Sequence, residues 1–552
     1  MSLTWKPEPE LLSAIDEAVP STLASQKENG QFGTEPWVCG DQNVVFSLAA
    51  AWHLEGSAYH HDDKVLAAIV KGGDALIEAQ DADGKWEFLK KDYSTWGQIL
   101  MPWTYSRWIR AYELVRESMA PGDRERWDRA LLLGFEGISA TCLHGVHNIP
   151  AHHAMALFSA GRVFGRDEWK AQSAAFMQKV VDAQSPNGWW AEGGGPVVSY
   201  NFVYSDALGT YYGMSGDGAV LNALELAARY HASLTYPDGS AVETVDGRNP
   251  YHAGVHLGNP GFTHTAPGRG YLAQQHAFHL ETGKGFGADY AANLLLYGAE
   301  GEAEETAAGR DRHVWRMGDE AVTVRRRPWF VCMSAFLTDL PDNRWIQDRQ
   351  NFVSVYHDKA GLIVGGGNTK LQPLWGNFTV GDRGLLKHTP GDESPDFTAR
   401  EGLLHVPDDA AYEADEDAAQ LTLKYGSETC KVTATPETDT TLRLVYEATS
   451  VSSKPVYGHV TLLPTVGEAL RFASGEEMVL GEGCIGREGE AWVSHKGWKV
   501  HLPEGSRVVW PVLPHNPYRK QGQSTVEEGR IVIEMAFSAE AQRQEIRIEI
   551  EQ

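Results

Sequence analysis

Apolar residues recur every three to four positions through about the first three hundred residues, which is the period of an amphipathic α-helix. Turn-forming residues separate the periodic stretches, and strand-like alternation is nearly absent from this half of the chain. The pattern predicts helices over residues 14–26, 42–53, 64–80, 101–118, 124–141, 152–164, 168–184 and 217–234.

The period changes after about residue 294, where apolar residues begin to alternate with polar ones. Such alternation, interrupted by Gly, Asp and Pro turns, is typical of an antiparallel β-sandwich. It predicts strands over residues 321–325, 329–333, 352–356, 361–365, 420–425, 441–446, 459–463, 530–535 and 545–550. The small, acidic stretch 298–311 has the composition of a linker, and the acidic stretch 407–420 that of a solvated loop. We therefore predict a helical domain over 1–297, a linker over 298–312 and a sandwich over 313–552.

A glycine-containing turn recurs in the helical half about every fifty residues. The glycines are Gly30, Gly84, Gly137, Gly188 and Gly239, at spacings of 54, 53, 51 and 51, with Gly137 the weakest match. Such a period holds one helical hairpin and a loop, and stacked hairpins form an open solenoid or a closed toroid. The long, aromatic-rich turns favour the toroid. The predicted fold class is an N-terminal (α/α) incomplete toroid, with its turns gathered at one end as a cleft, followed by a C-terminal antiparallel β-sandwich.

Charge and composition exclude several classes of partner. A net charge of −26 argues against nucleic acid or an anionic membrane, although a small basic cleft can still bind an anionic saccharide. No run of eighteen apolar residues is present, so no membrane span is predicted. The first ten residues lack a secretory signal, which predicts a cytoplasmic chain, or a secreted or periplasmic one if a leader has been removed. The sequence does not determine the oligomeric state.

The cysteines and histidines do not form a recognisable metal site. Five cysteines lie far apart without a CxxC pair, which argues against disulfides and a zinc knuckle. His144, His147 and His152 offer a possible zinc set, but they lack a carboxylate and a His-x-x-x-His pair. We predict no metal and no cofactor.

Two neighbouring stretches carry the candidate chemistry. The first holds four histidines and one amide in ten residues, among them Asn148, His152 and His153. Asn148 has a competing structural interpretation as a helix cap, since Pro150 favours a first helical turn. The second stretch runs from Asn187-Gly188-Trp189-Trp190 through Glu192 and three glycines to Tyr200 and Tyr204. Consecutive glycines are expected where backbone approaches a ligand, whereas the two tyrosines also fit an aromatic core.

The second stretch resembles the DGS-aromatic-x-EG…Tyr signature of the heparinase II/III-like polysaccharide lyase superfamily, which oligoalginate lyases share in part. In that superfamily an Asn and a His lie about fifty residues upstream, as Asn148 and His152 or His153 do here. Chondroitin AC-type lyases share the toroid, the sandwich and the Asn, His and Tyr set. This chain departs from the signature in having Asn187 and Trp189 for Asp and Ser, in its three extra glycines, and in the short spacing from Asn148 to the histidines.

The resemblance implies a lyase that cleaves an acidic polysaccharide or oligosaccharide by β-elimination beside a uronic acid, giving a 4,5-unsaturated uronate. Asn148 and one of the histidines would hold the uronate carboxylate, while Tyr200, Tyr204 or a histidine would transfer protons. A tyrosine base needs nearby positive charge because its ordinary pKa is about 10, and Arg107 and Arg110 are candidate sources. The predicted substrate-binding residues are Trp103, Tyr105, Arg107, Trp189, Trp190, Glu192, His256 and His264. His388 is a weaker candidate from the sandwich.

Two other functions stay open at this point. A toroidal glycoside hydrolase would use Glu192 and a second carboxylate, for which Glu35, Asp41 and Asp206 are available. A non-catalytic carbohydrate-binding protein would use the aromatic cleft without turnover.

Overall fold

The computed structural model describes residues 3–337, 351–367, 372–385, 402–449, 452, 454–515, 524–540 and 542–551. His388 lies outside these residues. In the described part of the chain, every α-helix lies before residue 298. The helices are α1 (Pro9–Ser25), α2 (Val44–His53), α3 (Asp63–Ala79), α4 (Pro102–Val115), α5 (Pro121–Thr141), α6 (Asn148–Val163), α7 (Asp167–Asp182), α8 (Val198–Ser215), α9 (Leu221–Ser233), α10 (Pro260–Thr263), α11 (Ala266–Glu281) and α12 (Ala288–Tyr297).

The helices alternate between an inner and an outer position. Helix α2 is buried at every residue from Val45 to Trp52, as expected for a helix that is apolar all round. It packs against α4 and α12, and α4 packs in turn against α6. The outer helices are amphipathic; α3, for example, is capped by the Asp62 carboxylate and buries the stripe that includes Val65, Ile69 and Leu76. This arrangement is the predicted pairing of helical hairpins.

Four of the five predicted repeat turns are confirmed. Gly30, Gly84, Gly188 and Gly239 have φ angles of 85°, 79°, 89° and 85°, a left-handed conformation that favours glycine. The same two backbone hydrogen bonds close each turn; in the fourth, Ser185 N donates to Trp189 O and Gly188 N donates to Ser185 O. The third match is wrong, because Gly137 lies inside α5.

Side-chain amides tie the turns to neighbouring helices in the same way. The Nε2 atoms of Gln26, Gln80 and Gln184, just before three turns, donate to backbone carbonyls of α3, α5 and α9 respectively. A second amide lies after the turn. Gln42 accepts from Phe32 N and donates to Gly30 O, and Asn201 accepts from Trp190 N and donates to Gly188 O. The repeat therefore extends to individual hydrogen bonds.

Short strands that the sequence pattern did not predict lie among the helices. They are β1 (Leu3–Trp5), β2 (Trp86–Leu89), β3 (Thr95–Ile99), β4 (Ala191–Glu192), β5 (Gly195–Pro196) and β6 (Gly301–Ala303). The pairs β2–β3 and β4–β5 are hairpins within the second and fourth loops. Strand β6 falls in the predicted linker and pairs with β1.

The rest of the described chain forms two antiparallel sheets, and each predicted strand is confirmed. The strands are β7 (Arg312–Met317), β8 (Ala321–Arg326), β9 (Trp329–Ser334), β10 (Val353–His357), β11 (Gly361–Val364), β12 (Phe378–Gly381), β13 (Leu403–Leu404), β14 (Asp409–Ala414), β15 (Ala419–Tyr425), β16 (Glu428–Thr438), β17 (Thr441–Thr449), β18 (Val456–Leu462), β19 (Ala469–Phe472), β20 (Glu477–Val479), β21 (Ile485–Glu488), β22 (Trp492–His495), β23 (Trp498–His501), β24 (Arg507–Val512), β25 (Arg530–Phe537) and β26 (Arg543–Ile550).

The two sheets share one apolar core, and their composition confirms the predicted fold class. One sheet has the order β21-β24-β25-β18-β11-β10-β9-β8-β7 with β12 and β13 attached, and the other has the order β14-β15-β16-β17-β26-β23-β22-β19-β20. Val355 and Ile533 of the first sheet belong to the same buried cluster as Leu444 and Ile548 of the second. Such interdigitation of inward side chains is how a sandwich forms its core.

The acidic stretch 407–420 is not the predicted loop. Its residues form β14 and the start of β15, which pair from Asp409 opposite Lys424 to Ala414 opposite Ala419. Burial alternates along β14, and the acidic residues occupy its exposed positions, because side chains of a strand point alternately to opposite faces.

The chain divides into two compact units that interleave along the sequence. The first comprises Met1–Trp190, Ser199–Arg229 and Leu257–Glu305, and the second comprises Ala191–Val198, Tyr230–His256 and Thr306–Gln552. The predicted boundaries at residues 297 and 313 stay a prediction. Among the described residues, no helix is both long enough and apolar enough to cross a membrane.

Candidate active site

Contacts of His152 join the N-terminal parts of α4, α6 and α8 within the first unit. The ring of Trp103 on α4 meets the His152 imidazole on α6 edge to face, with ring centroids 4.7 Å apart. On the other side, His152 Nε2 lies 3.2 Å from the carbonyl oxygen of Val203 on α8. We call Trp103, Asn148, His152 and Tyr200, which all lie in or next to the first turns of these helices, the first-turn cluster. Free N–H groups and the helix dipoles make such turns favourable for an anion.

His152 is held as a neutral imidazole. It is 5% exposed, and burial, together with the charges of Arg107 and Arg110, lowers its pKa to about 3. Because a carbonyl oxygen only accepts, Nε2 carries the proton that is donated to Val203, and Asp206 Oδ2 lies 3.7 Å from the same nitrogen. Nδ1 is then an acceptor, and it has no hydrogen-bond partner among the described residues.

The two adjacent histidines have different neighbours. His152 faces α4 and α8, whereas His153 is 2% exposed and its pKa is lowered to about 3 by burial and by the nearby His147. Asn148 is buried and is the first residue of α6. The cap position belongs to His147, so the interpretation of Asn148 as the cap is wrong.

Tyr200 and Tyr204 differ in their surroundings, although both lie on α8. Tyr204 is 1% exposed and stacks on Trp190 with ring centroids 5.1 Å apart. Tyr200 is half-buried in the first turn. Of the two, Tyr200 is therefore the one whose side chain reaches solvent.

The packing of Tyr204 on Trp190 has a counterpart in an earlier turn, which shows that this packing belongs to the repeat. Trp190 Nε1 donates to Val180 O, as Trp86 Nε1 donates to Leu76 O two hairpins earlier in the chain. Trp86 packs on Tyr105, which is fully buried and donates its hydroxyl to the turn carbonyl of Gly84. These positions indicate a structural role for Trp190, Tyr204 and Tyr105. Trp189 and Trp103 are half-buried and keep an exposed face.

The two arginines of α4 lie in a polar network among the helices rather than on the surface. Arg107 forms a bidentate ion pair with Asp289, with both N···O distances 2.7 Å. Arg110 is 1% exposed and donates to Asn293 Oδ1 at 2.5 Å. Burial raises the pKa of Asp206, and the two arginines partly oppose that rise.

The glycine-rich loop belongs to the second unit and forms an ion pair there. Its glycines turn the β4–β5 hairpin, with Gly193 at a φ of 72°. Glu192 Oε1 lies 3.6 Å from Arg248 Nη1. The buried Asp246 carboxylate accepts hydrogen bonds from the backbone of Val198, Arg248 and Asn249, and so fixes Arg248 in place.

Sequence reasoning missed Arg248. The sequence feature that could have indicated it is the turn Asp246-Gly247-Arg248-Asn249, because an Asp before a Gly is typical of a tight turn capped by its side chain. Gly247 N donates to Pro196 O at 2.7 Å, which joins this turn to the glycine-rich loop. Long-range contacts of this kind cannot be inferred from spacing along the chain.

The two histidines predicted in the fifth loop, which follows the Gly239 turn, contact different parts of the molecule. His256 lies in the second unit, where its backbone N–H donates to Gly239 O and burial lowers its pKa. His264 Nε2 lies 3.0 Å from Gly209 O on α8. Gly209 is nine residues beyond Tyr200, about 14 Å along a helix, so His264 is not part of the first-turn cluster.

Three of the four carboxylates considered for a hydrolase are held by cations. Lys27 lies 2.7 Å from Glu35, Lys91 lies 2.6 Å from Asp41, and Arg248 pairs with Glu192. Burial raises the pKa of the fourth, Asp206. In the described part of the chain, no group of three or more His, Cys, Asp or Glu side chains is arranged to hold a metal ion.

Comparison with solved structures identifies proteins of the same fold. No protein-family model and no curated protein sequence matches the chain. It is similar in structure to the Streptomyces coelicolor A3 chondroitin AC lyase in complex with chondroitin sulphate, at 14% identity and a TM-score of 0.54, over 99% of this chain and 80% of that one.

Two further solved structures are similar to this chain over nearly its whole length. Heparinase III matches at 12% identity and a TM-score of 0.54, over 99% of this chain and 85% of that one. A mutant heparan sulfate lyase from Pedobacter heparinus matches at 10% identity and a TM-score of 0.51, over 99% and 84% of the two chains. The predicted resemblance is thereby confirmed for the fold: this chain has the helical-plus-sandwich fold of the chondroitin AC and heparinase III polysaccharide lyases.

Proposed function

We propose that the chain is a polysaccharide or oligosaccharide lyase that cleaves a uronic-acid-containing glycan by β-elimination. The observation that carries the proposal is the first-turn cluster, in which a buried amide and a neutral imidazole near the start of α6 and a half-buried tyrosine near the start of α8 lie on helices joined by the His152–Val203 contact. The fold shared with chondroitin AC lyase and heparinase III supports it.

The residue types suit the reaction. A 4-linked uronate has a weakly acidic C5 proton beside its carboxylate, and its removal gives an enolate-like anion. Stabilising that anion requires hydrogen-bond donors at fixed positions, and an amide such as Asn148 at a helix N-terminus supplies them. A nucleophile is not needed.

The proton transfers are assigned to Tyr200. Its phenolate removes the C5 proton, and the phenol that results, or water, donates a proton to the leaving O4. The C5–H and C4–O4 bonds break while the C4–C5 double bond forms, so the products carry one unsaturated end and one new hydroxyl. His152 presents its Nδ1 acceptor while Nε2 stays bonded to α8. In this proposal His152 fixes the position of the cluster and Tyr204 supports α8 from the core.

The hydrolase alternative receives less support. An acid and a base carboxylate are both required, and the pKa of the acid must be raised. Glu192, Asp41 and Glu35 are each paired with a cation, and the hydrogen bond with Lys27 lowers the pKa of Glu35, the opposite of what an acid requires.

The test is incubation with a panel of glycans that contain glucuronate, iduronate, mannuronate, guluronate or galacturonate. We expect at least one of them to gain the ultraviolet absorbance of a conjugated 4,5-unsaturated uronate, and a neutral glycan to gain none. New reducing ends without that absorbance would identify a hydrolase instead. Binding without either signal would identify a non-catalytic carbohydrate-binding protein.

A further inference from the structure

A cavity of 790 Å³ lies wholly within the second unit. Its walls are formed by residues 251–253 of the fifth loop, the β10–β11 turn at 358–361, residues 463–466 after β18, and the β22–β23 turn, together with Glu527 and Arg530. Both sheets therefore contribute. The size is that of small-molecule sites, which are about 300–1,000 Å³, and none of the lining residues belongs to the first-turn cluster.

The lining is basic, in a chain that is strongly acidic overall. Lys359, Lys496 and Arg530 line the cavity, against the carboxylates of Asp358 and Glu527. Asp358 is already neutralised from outside the cavity, because Arg325 and Arg327 lie 2.9 Å and 3.5 Å from its Oδ2. Glu243 offsets part of the Arg530 charge in the same way, so Lys359 and Lys496 are the exposed cations that remain, and in a chain of net charge −26 they favour an anionic ligand.

Arg530 is held in a way that leaves one donor uncommitted. It is 4% exposed, and its two Nη atoms donate to the backbone carbonyls of Glu528, Gly529 and Gly366. Its Nε–H has no hydrogen-bond partner among the described residues. Burying such a donor without an acceptor is costly, and a ligand oxygen in the cavity would satisfy it.

Aromatic side chains form part of the same wall. Tyr356 is buried at the cavity and stacks on Tyr236 with ring centroids 5.2 Å apart. Tyr251 is half-buried, and its hydroxyl lies 3.4 Å from Ser240 Oγ. Aromatic faces beside a few polar groups are typical of sites that hold sugar rings.

We propose that this cavity binds a sugar that carries an anionic group, either a carboxylate or a sulfate ester. The cations select the anionic group, and the tyrosines contact the ring. The proposal does not depend on the lyase activity proposed above, because it concerns binding by residues that take no part in that chemistry.

The test is isothermal titration calorimetry of the full chain with glucuronate, glucose 6-sulfate and glucose. Monosaccharides are suitable because they have no glycosidic bond at O4, so no elimination accompanies binding. We expect glucuronate or the sulfate ester to bind more tightly than glucose. Lys496→Gln should weaken binding of the anionic sugar about tenfold, the effect of losing one charged hydrogen bond.

Lys499→Gln is the matched control, since Lys499 lies three residues away, with its ammonium over the Trp492 ring and outside the cavity lining. It should leave the affinity unchanged, and both variants should keep any lyase activity. Tyr251→Ala provides a second probe from a separate wall and should also weaken binding. Equal affinity for glucose and the anionic sugars, or unchanged affinity in both Lys496→Gln and Tyr251→Ala, would overturn the proposal.

Discussion

Tyr200 and Tyr204 lie one helical turn apart on α8, yet their environments indicate different roles. Tyr200→Phe removes only the hydroxyl of a half-buried side chain, so the fold should be retained. If Tyr200 transfers protons, turnover of a uronate glycan should fall about 10²- to 10⁴-fold, the usual contribution of general acid–base catalysis. Steady-state kinetics, with circular dichroism as a check on folding, measures this. Full activity in Tyr200→Phe would remove Tyr200 from the mechanism.

Tyr204 should behave differently, because its ring packs on Trp190 in the core. Tyr204→Ala should lower the free energy of unfolding by about 3–5 kcal/mol, the range for a large aromatic side chain truncated in a core. Urea denaturation measures it, and Tyr200→Ala at the half-buried position is the matched control, with a smaller expected loss. Equal losses in the two variants would show that Tyr204 has no special structural role.

At the level of residues, the sequence identified candidate side chains for the chemistry but not the neighbours that each of them contacts. A helix rotates by about 100° per residue, so a shift of two residues in its start redirects every side chain. The expected start of α6 near Pro150 left His152 and His153 equivalent. The observed start at Asn148 and the contact with Val203 place His152 towards α4 and α8.

At the scale of elements, the repeat is tested most sharply at the side-chain amides that bond the backbone of the repeat turns. Gln42 is 1% exposed and bonds Phe32 N, Gly30 O and Gly72 O. Gln42→Ala would leave these buried backbone groups unsatisfied and should cost at least about 1–3 kcal/mol of unfolding free energy.

Chemical denaturation of Gln42→Ala measures that cost. The control is Gln98→Ala on the exposed strand β3, which should change stability by less than about 0.5 kcal/mol. A Gln42→Ala chain as stable as the Gln98→Ala control would show that the amide bonds are not what fixes the turn.

Long elements were predictable because their period persists over many residues. Helix α5 and strand β17 repeat their pattern long enough to be recognised, whereas the β2–β3 hairpin is short and its second strand is almost wholly exposed. Gly137 was mistaken for a turn because a glycine inside a helix looks the same in sequence. Its neighbour Gly134 shows one reason for such glycines, since a Cβ there would lie 2.0 Å from the Tyr105 hydroxyl.

For the whole molecule, buried neutral histidines predict instability in acid. Burial lowers the pKa of His152, His153, His231 and His459 to about 3. The unfolded chain takes up protons near the ordinary value of 6.5, and the folded chain does not. Stability is therefore present above pH 6.5 and is lost as the pH falls towards 3.

His153→Gln isolates one of these groups. Between about pH 7 and pH 5, a single such histidine should account for about 2 kcal/mol of lost stability. The unfolding free energy of the variant should therefore fall by about 2 kcal/mol less between these two pH values than that of the unchanged chain. Denaturation at both pH values measures the two changes. An identical pH dependence in the two proteins would mean that His153 is protonated in the fold.

The fold class of the whole molecule followed from one change of period, from helical to alternating, near residue 294. The interleaving of the two units could not be predicted in this way. Residues 191–198 and 230–256 belong to the second unit, although the segments on either side of each belong to the first. The acidic loop that proved to be strand β14 failed for a related reason. Charge marks a solvated face, and a strand can present one as well as a loop can.

Elimination breaks a glycosidic bond without adding water, whereas hydrolysis adds one water for each bond broken. Mass spectrometry of the products from the most responsive uronate glycan distinguishes the two. We expect the product masses to sum to the mass of the substrate, and Tyr200→Phe to lose these products. Product masses that sum to the substrate plus one water would establish hydrolysis and rule out a lyase.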